Sequence, residues 1–261
     1  MSKNTDTIYA LSTPQGKSAI AVIRVSGNRA LKVIKQITKI KRIIPNKTNL
    51  LFLKDRNTTI DQVLVIYFKS PNSFTGEDVV EIYCHGGFAV IDKISKTLEI
   101  KGVRLAEPGE FTKRALLNDK IDLVKTESIS DMINAETEKQ RRLAIKNLSG
   151  GLSEFTAKIN QKIASNLANI EALIDFSDED LPNNVLKKIK EQNKNIKKEI
   201  TKELKIAEKS KPIRDGVKIG IIGKPNTGKS SFINYISKKD VSIVTNIPGT
   251  TTDSVTSAID I

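Results

Sequence analysis

Val217-Lys218-Ile219-Gly220-Ile221-Ile222-Gly223-Lys224-Pro225-Asn226-Thr227-Gly228-Lys229-Ser230 sets an apolar run directly ahead of a G-x-x-x-x-G-K-S loop. Each position of such a loop has a mechanical task. Gly223 and Gly228 let the backbone curl so that its N–H groups face phosphate oxygens, Lys229 supplies a point charge, and Ser230 supplies a hydroxyl for Mg²⁺. The loop works between a buried strand and a helix whose N-terminal dipole faces the anion. The run 217–222 is therefore predicted as a strand. Ser230 to Ser237 is predicted as a helix with Phe232, Ile233 and Ile236 inward.

Downstream, Asp240 to Asp253 carries Thr245, Thr250, Thr251 and Thr252. A threonine in a loop behind a phosphate-binding turn can sense a γ phosphate through Mg²⁺, which points to a GTPase over an ATPase. From Gly216 to Ile261 the segment is much shorter than the ~100 residues such a domain needs to complete its sheet.

Upstream, Ser210-Lys211-Pro212-Ile213-Arg214-Asp215-Gly216 reads as a linker. Before it the pattern is helical from Asp122 to Lys209. Leu152, Phe155, Ile159, Ile163, Leu167, Ile170 and Ile174 form one stripe, and Leu186, Ile189, Ile196, Ile200 and Leu204 another, with Asn193 interrupting the second. These read as faces of an antiparallel bundle. Further upstream, short apolar runs at Ile20–Val25, Leu50–Leu53, Val63–Phe68, Val79–Cys84 and Val103–Ala106 read as strands, with helices at Ala30–Ile40 and Phe88–Ile100. The fold class is thus a small α/β N-terminal domain, an all-α helical bundle domain and a partial P-loop α/β domain, over 1–119, 120–212 and 213–261.

The 261 residues allow two domains or more, and 38% hydrophobic residues without a long apolar run or a signal pattern indicate a cytoplasmic protein with no membrane attachment. A formal charge of +13 favours a polyanionic partner. Much of it lies in Lys187 to Lys211, which reads either as an RNA contact or as a solvated helix face.

The pieces Gly223 to Ser231 and Ile243-Val244-Thr245-Asn246-Ile247-Pro248-Gly249-Thr250-Thr251 resemble the G domain of the MnmE (TrmE) family of tRNA-modification GTPases. Asn72-Ser73-Phe74-Thr75-Gly76-Glu77-Asp78, His85-Gly86-Gly87, Pro108-Gly109-Glu110-Phe111-Thr112 and Leu117 to Leu123 resemble the rest of that family, in the same order. The resemblance implies a folate-binding N-terminal domain that forms a homodimer, and a helical domain with the G domain inserted in it. It implies K⁺-dependent GTP hydrolysis and an MnmG-type FAD partner in a heterotetramer. The activity implied is addition of an aminomethyl or carboxymethylaminomethyl group to the wobble uridine of tRNA, using a tetrahydrofolate one-carbon donor.

Carried over by position, the GTP contacts are Asn226, Thr227, Gly228, Lys229, Ser230, Ser231, Thr245, Asn246, Ile247, Pro248, Gly249, Thr250 and Thr251. Ser230 and Thr251 would hold Mg²⁺, while Asn226, Thr245, Ile247 and Thr250 would hold K⁺. Arg24, Glu81 and Lys120 match the 5-formyltetrahydrofolate positions. An arginine and a lysine suit the acceptors of folate, and a carboxylate suits the paired N–H donors of a pterin. No catalytic side chain is assigned.

The sequence departs from the family in lacking D-x-x-G, N-K-x-D and C-x-G-K segments after Ile261, and in having threonine at position 252. The expectation is a chain ended within its G domain, with negligible GTPase activity of its own. The alternative is a folate-binding dimerisation module with an inert partial G domain. Cys84 and His85 are neighbours on a strand and point to opposite faces, so they form no joint nucleophile or metal site; His85 is assigned to the Gly-rich turn. The acids of 175–180 lack the spacing of a calcium loop and read as a solvated helix end.

Overall fold

The computed structural model describes residues 6–175, 184–216, 219–224 and 227–237. The chain divides into two units, Met1–Thr126 and Glu127–Ile261.

The first unit is built on β1 (Ile8–Leu11), β2 (Ser18–Ser26), β3 (Thr48–Asp55), β4 (Thr58–Phe68), β5 (Val79–Gly86) and β6 (Arg104–Leu105), in the sheet order β3-β4-β5-β2-β1-β6. Neighbours are antiparallel except β1 and β6, which run parallel. Val63, Val65 and Tyr67 face inward along β4, as do Val80, Ile82 and Cys84 along β5. This is the period of two expected when one face of a sheet is covered. The cover is α1 (Ala30–Thr38), through Val33, Ile34 and Ile37, and α2 (Phe88–Ile100), through Ile94 and Leu98.

Two elements had no sequence signal. β1 is four residues long, and α3 (Glu110–Leu117) buries Glu110, Arg114 and Ala115, so its inward face is mainly charged and no apolar stripe marks it. β5 runs through His85 to Gly86, so His85 belongs to the strand and not to the turn.

The other face of the sheet is open. Register places Leu50, Leu64 and Tyr83 in one row, and Thr48, Ile66, Glu81 and Arg24 in the next. Leu50, Phe52 and Leu64 remain exposed there.

α4 (Leu123–Ile133) crosses the division between the units. The second unit holds α5 (Glu138–Leu148), α6 (Gly151–Asp175), α7 (Val185–Asp215) and α8 (Lys229–Ser237). A reciprocal capping box between Thr137 and Gln140 starts α5. Lys162 pairs with Glu199, and Asn166 with Asn193, so α6 and α7 run antiparallel. Only Ile159 of the α6 stripe and Ile189 and Ile196 of the α7 stripe are buried, since two packed helices cover a narrow seam and leave Ile163, Leu167 and Leu204 exposed. The lysines of 187–211 all lie on exposed positions of α7. No helix among the described residues is long and apolar enough to cross a membrane.

Residues 210–215 are the last turns of α7, with Pro212 inside the helix, and are not a linker; Gly216 ends it at φ +69°. Proline's fixed φ is helical, and the terminal turn is held by Gln140 Nε2 donating to the Arg214 carbonyl (3.2 Å) and by the Arg214–Asp131 ion pair (3.1 Å). Residues 219–224 form no strand, and Ile222 is 97% exposed. An extended segment needs a ladder partner, and none pairs with it among the described residues. In α8, Phe232 is exposed while Ile233 and Ile236 are half-buried.

Candidate functional site

Strand register places Arg24 of β2 directly opposite Glu81 of β5 on the open face. Arg24 Nε and Nη2 both donate to Glu81 Oε1, at 2.9 and 2.7 Å. The guanidinium carbon lies 5.6 Å from the Phe74 ring centroid and 5.8 Å from that of Phe111, within the range of cation–π attraction. Glu81 Oε2 accepts from the hydroxyl of Tyr83 at 2.8 Å. That hydrogen bond, with burial second, raises the Tyr83 phenol above its ordinary pKa of 10.0.

Lys120 joins this neighbourhood through the loop between β4 and β5. Gly76 sits at φ +77°, and a Cβ there would lie 3.1 Å from Lys120 Cγ and 3.2 Å from Asn118 Cβ. Glycine thus provides both the left-handed turn and room for the lysine stem. Asn118 Nδ2 donates to the Thr75 carbonyl at 2.7 Å and fastens the same loop. Arg24 and Glu81 are therefore in direct contact, and Lys120 crosses the loop that carries Phe74. Together they present a fixed carboxylate, a planar cation between two rings and a nearby exposed lysine, which suits a flat heterocycle with N–H donors and an anionic tail.

Beneath the loop lies a charged network that the sequence reading did not identify. Arg114 is 3% exposed and donates to Asp6 Oδ1 (2.7 Å), the Asp6 carbonyl (3.0 Å), Glu110 Oε1 (2.9 Å) and Glu77 Oε2 (3.2 Å). Arg104 Nη2 bridges Glu110 and Asp6, at 2.7 Å each. Burial alone would push the Glu110 carboxyl up, but hydrogen bonds from Arg104, the Glu107 N–H and Arg114 hold it at about 2. The Ser26 hydroxyl donates to Glu77 Oε2 (2.7 Å) and lies 2.8 Å from Thr75 Oγ1. The network anchors the loop bearing Phe74 and the helix bearing Phe111, so it fixes both rings beside Arg24. The one sequence signal for it was the i, i+4 spacing of Glu110 and Arg114.

Cys84 is buried, its thiol 3.6 Å from the Ala21 carbonyl oxygen and pushed up to about 11 by burial and, second, by the charge of Asp61. His85 is on the exposed face, with Nδ1 2.7 Å from Asp61 Oδ1. The two side chains serve opposite faces and form no dyad. Among the described residues no group of three or more His, Cys, Asp or Glu is arranged to hold a metal ion.

In the second unit, Gly228 takes φ +84° and α8 begins at Lys229, with Phe232 N donating to the Gly228 carbonyl at 2.9 Å. Lys229 Nζ and Thr227 Oγ1 both donate to the Lys224 carbonyl, at 2.6 and 2.9 Å. The loop thus curls over the helix N-terminus, and Ser230 lies half-buried in the first turn with Ser231 exposed beside it. A left-handed glycine, a lysine and a hydroxyl at a helix start form a donor set suited to a phosphate with its Mg²⁺. Asn226, Thr245, Asn246, Ile247, Pro248, Gly249, Thr250 and Thr251, with the acids of 176–180, lie outside the described residues.

Residues 7–120 match the family model described as GTP-binding protein TrmE N-terminus, and residues 123–260 match that of the MnmE helical domain. The chain is 44% identical over 259 residues to the tRNA modification GTPase MnmE of Rickettsia prowazekii, covering 98% of this chain and 58% of that protein. It is 46% identical over 255 residues to the protein of that name from Neorickettsia sennetsu, covering 97% and 46%. Against that of Fervidobacterium nodosum it is 45% identical over 259 residues, covering 97% and 56%. The chain spans about half the length of these curated relatives.

Proposed function

The chain belongs to the MnmE (TrmE) family of tRNA modification GTPases, and from that premise we propose that it acts in the modification of tRNA. The first unit binds a tetrahydrofolate one-carbon donor such as 5-formyltetrahydrofolate through Arg24, Glu81 and Lys120. The segment 213–261 contributes to a GTP site. With an MnmG-type FAD protein, the whole assembly adds an aminomethyl or carboxymethylaminomethyl group to the wobble uridine in the cytoplasm. The observation that carries this reading is the Arg24–Glu81 pair, set on an open sheet face between Phe74 and Phe111.

In the GTP site, Lys229 sets its charge against the phosphates and Ser230 and Thr251 hold Mg²⁺. Asn226, Thr245, Ile247 and Thr250 hold K⁺. When bound, the two cations supply positive charge at the phosphate oxygens where negative charge develops. The exposed Leu50, Phe52 and Leu64 on one sheet face support pairing of two copies through the first unit, because an apolar sheet face gains by exclusion of water.

Isothermal titration of the full chain tests the reading. 5-Formyltetrahydrofolate should bind, and Arg24→Ala and Lys120→Ala should each weaken it by about tenfold or more, as expected for loss of a charge-assisted contact. GTP with Mg²⁺ should bind separately and be lost in Lys229→Ala. Absence of folate binding by the unaltered chain would refute the first-unit assignment. GTP binding indifferent to Lys229 would refute the second.

A further inference from the structure

Glu81 is already engaged by three donors. Arg24 places a two-pronged fork, Nε and Nη2, on Oε1, and Tyr83 places one hydroxyl on Oε2. A carboxylate offers about four lone-pair sites, two on each oxygen. Oε1 is therefore full, and Oε2 has one site left. The folate reading above, on which this inference rests, gives Glu81 a pterin edge with two N–H donors side by side. That edge has the same fork geometry that Arg24 uses on Oε1. A donor fork ordinarily takes one site on each carboxylate oxygen; with Arg24 holding Oε1, the edge is directed to Oε2, where Tyr83 competes with it.

The partner that yields is set by the same geometry. Arg24 is charged, makes two bonds and is flanked by two rings, whereas Tyr83 makes a single bond from a neutral hydroxyl and is half-buried, so water can replace its partner. We propose that Tyr83 is a displaceable latch on Glu81: its hydroxyl occupies the ligand's place on Oε2, and binding of a pterin edge expels it. Tyr83 is thus a positioning residue acting through Glu81. It lies two residues along the same strand face, and it tunes folate affinity downward.

Titration of the full chain with 5-formyltetrahydrofolate provides the test. Tyr83→Phe should bind about five- to tenfold more tightly, since it removes a competing hydrogen bond to a charged group. In a Glu81→Gln background the same change should bring no gain, which separates action through Glu81 from altered packing. A second measurement uses chain labelled with ¹³C at tyrosine Cζ: the Tyr83 phenol should titrate closer to its ordinary 10.0 when ligand is saturating, because its bond to Glu81 is broken. Equal or weaker binding by Tyr83→Phe, or an unmoved phenol titration, overturns the latch and leaves the folate reading standing. No binding by the unaltered chain overturns both.

Discussion

Replacing Glu110 by glutamine should make the first unit less stable at neutral pH and change its stability little in acid. Glu110 is 5% exposed and receives Arg104, Arg114 and the Glu107 N–H. Its carboxyl is held at about 2 against an ordinary 4.5. At about 1.4 kcal/mol per pH unit, this gap corresponds to on the order of 3 kcal/mol of folding free energy. A depressed folded-state value places that contribution above pH 4.5, and it is lost progressively as pH falls from 4.5 toward 2. Breaking one partner of a buried ion pair costs a similar amount, about 3–5 kcal/mol. Urea unfolding of the full chain, followed by near-UV circular dichroism, is a suitable assay, since Tyr9, Tyr67 and Tyr83 are three of the four tyrosines and all lie in the first unit. The original chain should exceed Glu110→Gln by about 3 kcal/mol at pH 7 and by under ~1 kcal/mol near pH 2.5. A gap that is constant across this range would show that Glu110 acts by shape and not by charge.

Two further outcomes follow from the packing. Asn166 is 3% exposed and donates to Asn193 Oδ1 at 2.9 Å, while its own Oδ1 meets no donor among the described residues; Asn166→Leu with Asn193→Leu should stabilise the α6–α7 pair by about 1–3 kcal/mol in thermal unfolding, and a loss of stability would show that the amide pair is needed. Cys84, pushed up to about 11, should resist iodoacetamide at pH 8 in the folded chain and react on unfolding; mass spectrometry showing rapid alkylation of the native chain would contradict its burial.

The sequence displayed the covered side of the sheet well. Valine and isoleucine alternate along β4 and β5, and Val90, Ile91, Ile94 and Leu98 marked α2 to its observed ends, because burial against one neighbour leaves a period in the chain. Charged packing leaves none. Glu110 and Arg114 look like surface residues in sequence, and only the approach of Asp6, Glu77 and Arg104 from distant positions makes their burial affordable. Arg24 and Glu81 were singled out by family position, but their mutual contact depends on the β2–β5 register, which no local pattern encodes. Pro212 and Gly216 gave a correct end signal at the glycine and a false one at the proline, since local breakers say nothing of the tertiary contacts that hold Arg214.

The parallel pairing of β1 with β6 also dictates an order of assembly. Ile8 aligns with Arg104, the Tyr9 hydroxyl reaches Glu99 over 90 residues, and Arg114 reaches the Asp6 carbonyl over 108. At synthesis rates of about 5–20 residues per second, on the order of ten seconds separate the making of Asp6 from that of Arg114. Until then β1 can pair with β2 but has a bare edge, of the kind that chaperones and neighbouring strands find. β1 is thus enclosed only after β6 and α3 have been made. Closing this seam spans far more chain than the β3–β4 hairpin, whose strands are joined across residues 56–57, and so carries the larger loop-closure cost.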